Sequence, residues 1–201
     1  MILGILLIIL AIFLFLILLI VGWFIGTFNW FVNAQQNIKT QFSNIKTEYQ
    51  RRADLFYNLV QAVRAHTKFE KGTLVEVTKM RNVNLGGPKA ETVKKMKEMD
   101  AFFSKLLVTV EAYPHLKSIK QFNKFSDEVR ITEDRINVAR TDYNEVVREY
   151  NVRVKQFPSS IVARWKNFNE EKYYLNEPKT DYSPKVSFED GEDAIRLGPH
   201  R

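Results

Sequence analysis

Two rules govern where hydrophobic side chains fall along this chain. The first twenty-eight residues, MILGILLIILAIFLFLILLIVGWFIGTF, are apolar on every side, and the first charge is Lys39. Beyond them, apolar residues recur at every third or fourth position. A helix rises about 1.5 Å per residue, so about 20 apolar residues cross the ~30 Å hydrocarbon core of a bilayer. Leu, Ile, Phe and Val each favour the bilayer centre by ~0.3–0.6 kcal/mol. The leading run therefore predicts a retained transmembrane helix over residues 1–28. A cleaved signal peptide fits less well: Lys and Arg are missing from its start, the apolar run is too long, and bulky GWFIGTFNWF stands where a small-x-small cleavage site belongs. A soluble helix this apolar on all faces needs a larger protein around it. Trp23 and Trp30 suit an interfacial aromatic belt.

The second rule reads as a helical bundle. Between Thr27 and Lys71 there is neither Gly nor Pro, and Ile38, Phe42, Ile45, Tyr49, Phe56, Leu59 and Val63 follow a heptad seam. The pattern predicts one helix to about Val83, with Gly72 as its weak point. Arg52 falls where that seam wants a hydrophobe. Its stem is expected to snorkel to the bundle edge, with a carboxylate partner inside the bundle as the alternative. NLGGPKAE is stop-and-start punctuation. It is not a phosphate loop, because no Gly-Lys-Ser/Thr follows.

A second helix is predicted over 88–112, with Val93, Met96, Met99 or Asp100, Phe103, Leu106, Leu107 and Val110 inward, broken at Pro114. A third spans 115–157, where Phe122, Phe125, Val129, Thr132, Ile136, Ala139, Tyr143, Val146 and Tyr150 keep steps of three and four. Tyr143 and Tyr150 are one heptad apart, with rings in the core and hydroxyls reaching a polar edge. Asn137, Asn144 and Asn151 repeat beside them. Asn is a poor helix former. The ladder is either a solvated flank or a set of inter-helix hydrogen bonds that fixes register. Phe157-Pro158 ends this helix, and PSSIVARWKNF predicts a short fourth one.

The expected fold is thus all-α: a transmembrane helix, then an up-and-down antiparallel bundle of three long helices and one short helix. Residues 1–28 form the anchor, 29–168 the bundle, and 169–201 a tail that lies extended on the bundle and then becomes disordered.

Charge and composition narrow the chemistry. The chain carries a formal net charge of +7 and no cysteine, which excludes disulfides, thiolate metal sites and a Cys nucleophile. His66, His115 and His200 are far apart in sequence and follow no ligand spacing, so no metal or cofactor is expected. Lys39, Lys46, Arg51 and Arg52 against Glu48 follow the span. Positive charge within 15–20 residues of a span favours the cytoplasmic side. Only Lys39 and Lys46 fall in that window, and they place the bundle in the cytoplasm.

Several segments together resemble the LemA family: QRRADLFYNLVQAV with EKGTLVEVTKMR, VEAYPHLKSIKQF, EDRINVARTDYNEVVREYNVRVKQFPSSIVA, and SPKVSF. They occur in family order after an N-terminal span and cover roughly residues 28–188. The resemblance implies a bacterial single-pass membrane protein with a helical-bundle domain, without known catalytic residues or cofactor. One branch of the family is involved in building magnetosome membrane compartments. The chain departs from the family in Tyr57 of LFYNLV, where Pro is usual, and in Phe42 and Lys46, where Trp and an acid are common. It departs again in RWKNF, which adds Arg164 and Lys166.

Three functions compete. The first is a membrane-anchored scaffold that binds a protein partner, or a second copy of itself, through the bundle flank. Its candidate contacts are Arg51, Arg52 and Asp54, together with Tyr143, Asn144, Tyr150 and Asn151. The second is a carboxylate hydrolase, with Glu70/Glu76 or Glu133/Asp134 as its pair. General acid–base work needs convergent carboxyls with displaced pKa values, whereas Glu133 and Asp134 are neighbours on a charged face, so no enzyme is expected. The third is a basic domain acting at anionic lipid, with Arg164 and Lys166 facing the membrane. Nucleic acid is not expected, because basic and acidic residues alternate in KKMKEMD and REYNVRVK.

Overall fold

The computed structural model describes residues 2–63, 71–111 and 120–174. All regular structure among them is helical: α1 (Ile2–Val63), α2 (Lys71–Arg81), α3 (Lys89–Glu111), α4 (Lys120–Lys155) and α5 (Ser159–Trp165). The Pro114 break, the three histidines, Glu70 and the tail beyond Tyr174 lie outside the described residues.

α1 carries both rules of the sequence in one helix of 62 residues. Its first part is apolar and solvent-facing within the fold, and it is long and apolar enough to cross a membrane. Its second part is the central member of the bundle, where Phe31, Ile38, Ile45, Tyr49, Phe56 and Leu59 are buried. The seven-residue repeat thus extends one heptad further toward the span than the pattern from Ile38 indicated.

α4 runs antiparallel along α1. Phe125 meets Phe56 edge-on at 5.3 Å between ring centroids, Tyr143 lies beside Phe42 at 5.9 Å, and Tyr150 meets Phe31 at 5.9 Å. α3 runs parallel to α1: Lys89 at its start lies over the Phe42 ring, and Phe103 further on stacks on Phe56 at 4.4 Å. The seam of α3 leaves no choice between Met99 and Asp100. Met99 is buried in the core, and Asp100 points inward beside it at the polar edge.

One expected element divides. The helix predicted to continue to Val83 instead yields α2, which folds back along α1. Gln50 Nε2 donates to Arg81 O at 3.0 Å, Arg81 pairs with Asp54 at 2.9 Å, and the Arg81 guanidinium lies over the Tyr57 ring. Val77 gives the physical reason: it is fully buried, with Leu74 and Met80 packed beside it. Reversal lets this apolar stripe cover α1, whereas continuation would project it past the end of α4. Gly72 sits in the first turn of α2, where its low helix propensity matters least. The link to α3 is an Asx turn, in which Gly86 N donates to Asn84 Oδ1 at 2.8 Å.

α5 closes the end of the bundle nearest the apolar segment. α4 ends at Lys155, and Ser159 Oγ lies 2.7 Å from Arg153 O and 2.8 Å from Gln156 O, serving carbonyls left over at the helix end. Val162 and Ala163 are buried, and Trp165 meets Phe24 of α1 edge-on at 5.0 Å. Asn167 then takes a left-handed backbone (φ 56°), a conformation Asn tolerates after a helix end.

Candidate functional site

At mid-height of the bundle a group of charges turns inward. Arg52 of α1 is buried, with 5% of its surface exposed. It does not snorkel. Its Nη1 donates to Asp100 Oδ1 of α3 at 2.8 Å, and its Nη2 pairs with Glu133 of α4. The stem cannot reach water because α3 and α4 close over that face, and the carboxylates come to it instead. Its guanidinium also lies 5.2 Å from the Phe103 ring centroid.

Arg140 of α4 completes the network. It donates to Asp100 Oδ2 at 3.0 Å and to the Tyr49 hydroxyl. Tyr49 in turn donates to Asp100 Oδ2 at 2.7 Å. Arg140 lies over the ring of Tyr174, whose hydroxyl is 3.5 Å from that of Tyr49. Burial first, and then the negative charge of Asp100, push the Tyr49 phenol far above its ordinary 10.0. Two cations, two carboxylates and two phenols thereby tie α1, α3 and α4 to the segment after α5. Every charged member binds another member, an arrangement that holds the helices in register.

At Asn144 and Asn151 the asparagine ladder has a different purpose from either sequence reading. Asn151 Nδ2 donates to Glu171 O at 2.9 Å, and Glu171 N donates back to Asn151 Oδ1 at 2.9 Å. Asn144 does the same for Tyr174, at 3.1 and 2.7 Å. Each amide thus mimics a neighbouring strand and binds extended backbone, with one donor and one acceptor. Asn151 is buried, and Asn137, one heptad before Asn144, is exposed. The partner is the extended stretch 169–174, not a helix. Two further clamps act on it: the Tyr143 hydroxyl donates to Lys172 O at 2.9 Å, and Lys89 pairs with Glu171 at 2.9 Å. Tyr174 is buried at the end of this strap.

The residues picked from sequence therefore do not gather in one place. Arg52 belongs to the ion network. Tyr143, Asn144 and Asn151 hold the strap, and Tyr150 is buried with its hydroxyl accepting from Gln35 at 3.2 Å. Arg51 is exposed, Asp54 pairs with Arg81, and at the opposite end Arg164 is exposed and Lys166 lies over the rings of Trp165 and Phe28. Arg140, Lys89 and Tyr174 escaped sequence reasoning, and Asp100 entered it only as the alternative to Met99 on a seam. The available signal for Asp100 and Arg140 was position: each is one residue from an inward-facing neighbour, Met99 or Ala139, the place for a charge at the rim of a seam.

The sequence model of the LemA family matches residues 41–188, which include the whole ion network and the strap. The chain belongs to the LemA family. Protein LemA of Metamycoplasma hominis is 26% identical over 143 residues, covering 70% of this chain and 65% of its own length. Magnetosome protein MamQ 2 of Paramagnetospirillum magneticum is 23% identical over 181 residues, covering 77% and 66%. Magnetosome protein MamQ of Magnetospirillum gryphiswaldense is 22% identical over the same length and shares. The chain spans just under two thirds of the length of these relatives. Within this LemA-family bundle, the ion network and the asparagine clamps both use side chains to fix one helical arrangement.

Proposed function

We propose that this chain is a membrane-anchored helical scaffold of a bacterial membrane that works by holding a protein partner and not by catalysis. The observation that carries the reading is the continuity of α1. One helix passes from an apolar segment able to span a bilayer into the centre of the bundle. A post of this kind sets the bundle at a fixed height and orientation, which suits positioning. Of the two neighbouring acids that a hydrolase would use, Glu133 pairs with Arg52, and Asp134 is exposed on the wall of the groove between α1 and α4. Relatives named as magnetosome proteins support a setting in membrane organisation. Lys39 and Lys46 support a cytoplasmic bundle.

With Arg52, Asn144 and Asn151 committed inside the fold, the partner surface moves to the groove between α1 and α4. This groove of about 490 Å³ is lined by Gln41, Asn44, Glu48, Ile131, Val138 and Asp142, among others. Ile131 and Val138 are exposed one heptad apart. The test is photo-crosslinking in native membranes from positions 44 and 138, with position 97 on the α3 side as control. One discrete product from both groove positions, from a partner or from a second copy, is expected. No product from either, together with loss of the cellular phenotype in a folded Glu133→Gln or Asp134→Asn variant, would overturn the scaffold in favour of an enzyme.

A further inference from the structure

The bundle has a foot. α5 and the corner before it are the part of the bundle nearest the apolar segment: Trp165 rests on Phe24, and Phe168 on Phe28 and Phe31. Its inner side, Ser159, Val162 and Ala163, is buried against α1 and α4. Its outer side is apolar and uncovered: Phe157 is 77% exposed, Ile161 54% and Trp165 62%. Ile161 and Trp165 are four apart on α5 and so share one helical face, and Phe157 lies exposed in the corner just before it. Arg164 is exposed next to Trp165 in the chain, and Lys166 stands over the Trp165 ring at 3.9 Å.

Such a face is costly in water, and its height on α1 decides what covers it. A span of about 20 residues that closes at the aromatic-belt residue Trp23 ends one residue before Phe24, the contact of Trp165. The exposed face thus continues the lipid-contacting surface of α1 at the depth where Trp, Lys and Arg are favoured. We propose that α5 is an interfacial foot: Phe157, Ile161 and Trp165 enter the headgroup layer of the leaflet from which α1 emerges, and Arg164 and Lys166 bind lipid phosphate there. Because α5 is packed on both α1 and α4, the foot fixes the depth and tilt of the whole post. The inference rests on α1 spanning the bilayer and is independent of any protein partner.

The chain has no cysteine, so single spin labels report position directly. Ile161→Cys, Phe157→Cys, Leu10→Cys and Val138→Cys variants of the full chain are labelled in vesicles of zwitterionic or mixed anionic lipid. Their relaxation is compared with oxygen, which partitions into lipid, and with a water-soluble nickel chelate. Labels at 10, 157 and 161 are expected to favour oxygen, the last two at shallower depth, and the label at 138 to favour nickel. Arg164→Gln with Lys166→Gln should raise nickel access at 161, by about fivefold per charge removed in anionic vesicles. Nickel access at 161 while 10 stays in lipid would overturn the foot and leave the anchor standing. Nickel access at 10 would remove the anchor itself. Broadening at 161 that vanishes on dilution of protein in lipid would mean that a second copy covers the face, and would also overturn the proposal.

Discussion

Arg52 and Asp100 meet at 2.8 Å inside the bundle, one from the central helix and one from the helix that runs parallel to it. The contact replaces a hydrophobic seam position with a charge and holds it in place from two sides. Removing Arg52 leaves Asp100 and Glu133 beside apolar surface without a shared cation. Arg52→Met is expected to destabilise the bundle by about 3 kcal/mol, the low end for breaking a buried pair, since both carboxylates keep some access to water. Arg52→Met combined with Asp100→Leu should cost less than the sum of the two single changes. Denaturant titration followed by circular dichroism, arranged as a double-mutant cycle, measures the coupling.

The strap depends on two amides. Asn144→Ala and Asn151→Ala each remove two hydrogen bonds, at about 1 kcal/mol net per bond. Together they are expected to release the stretch 169–174. Hydrogen exchange at the amides of Glu171 and Tyr174, both donors to these side chains, should become fast while the helices stay protected. Trypsin should then cut after Lys172 much sooner than in the parent protein.

Asp54 gives the contrasting case. Its pair with Arg81 is 2.9 Å long, but both side chains are more than 40% exposed. Asp54→Ala should change stability by no more than about 0.5 kcal/mol. A larger loss in the same denaturant assay would mean that the turn-back of α2 depends on this pair and not on Val77.

Alkaline pH should weaken the fold. Burial raises the phenols of Tyr49, Tyr143 and Tyr150 above their ordinary 10.0. Burial alone would lower Lys89, but contact with Tyr143 and Glu171 outweighs it and raises this group above 10.5. In each case the folded state binds a proton that the unfolded state has begun to lose. Stability is therefore full below about pH 10 and falls as pH rises beyond it. Tyrosinate absorbance near 295 nm should show these three phenols silent until unfolding, and Tyr49→Phe should flatten the alkaline loss.

The sequence carried the helices because seams at heptad spacing leave few alternatives. Ile45, Tyr49, Phe56, Phe125, Ile136, Tyr143 and Tyr150 are inward where the spacing put them. The reversal before α2 was not legible, since Leu74, Val77 and Met80 continue a helical period equally well after a turn. Arg52 was seen as an anomaly, but its partners Asp100 and Glu133 lie 48 and 81 residues away in a chain rich in similar acids. The asparagine ladder was visible as a spacing. Its partner was not, because an amide that binds extended backbone leaves no periodicity in the strap it holds.

The continuity of α1 is open to one distance. Labels at positions 21 and 44, both on exposed surface of α1, are separated by 23 residues of unbroken helix, or about 35 Å. Pulsed dipolar spectroscopy of the doubly labelled full chain in bilayers should give a single narrow peak near that value. A broad distribution, or a peak well short of it, would mean that span and bundle are joined by a hinge, and the chain would not be a post that positions its bundle.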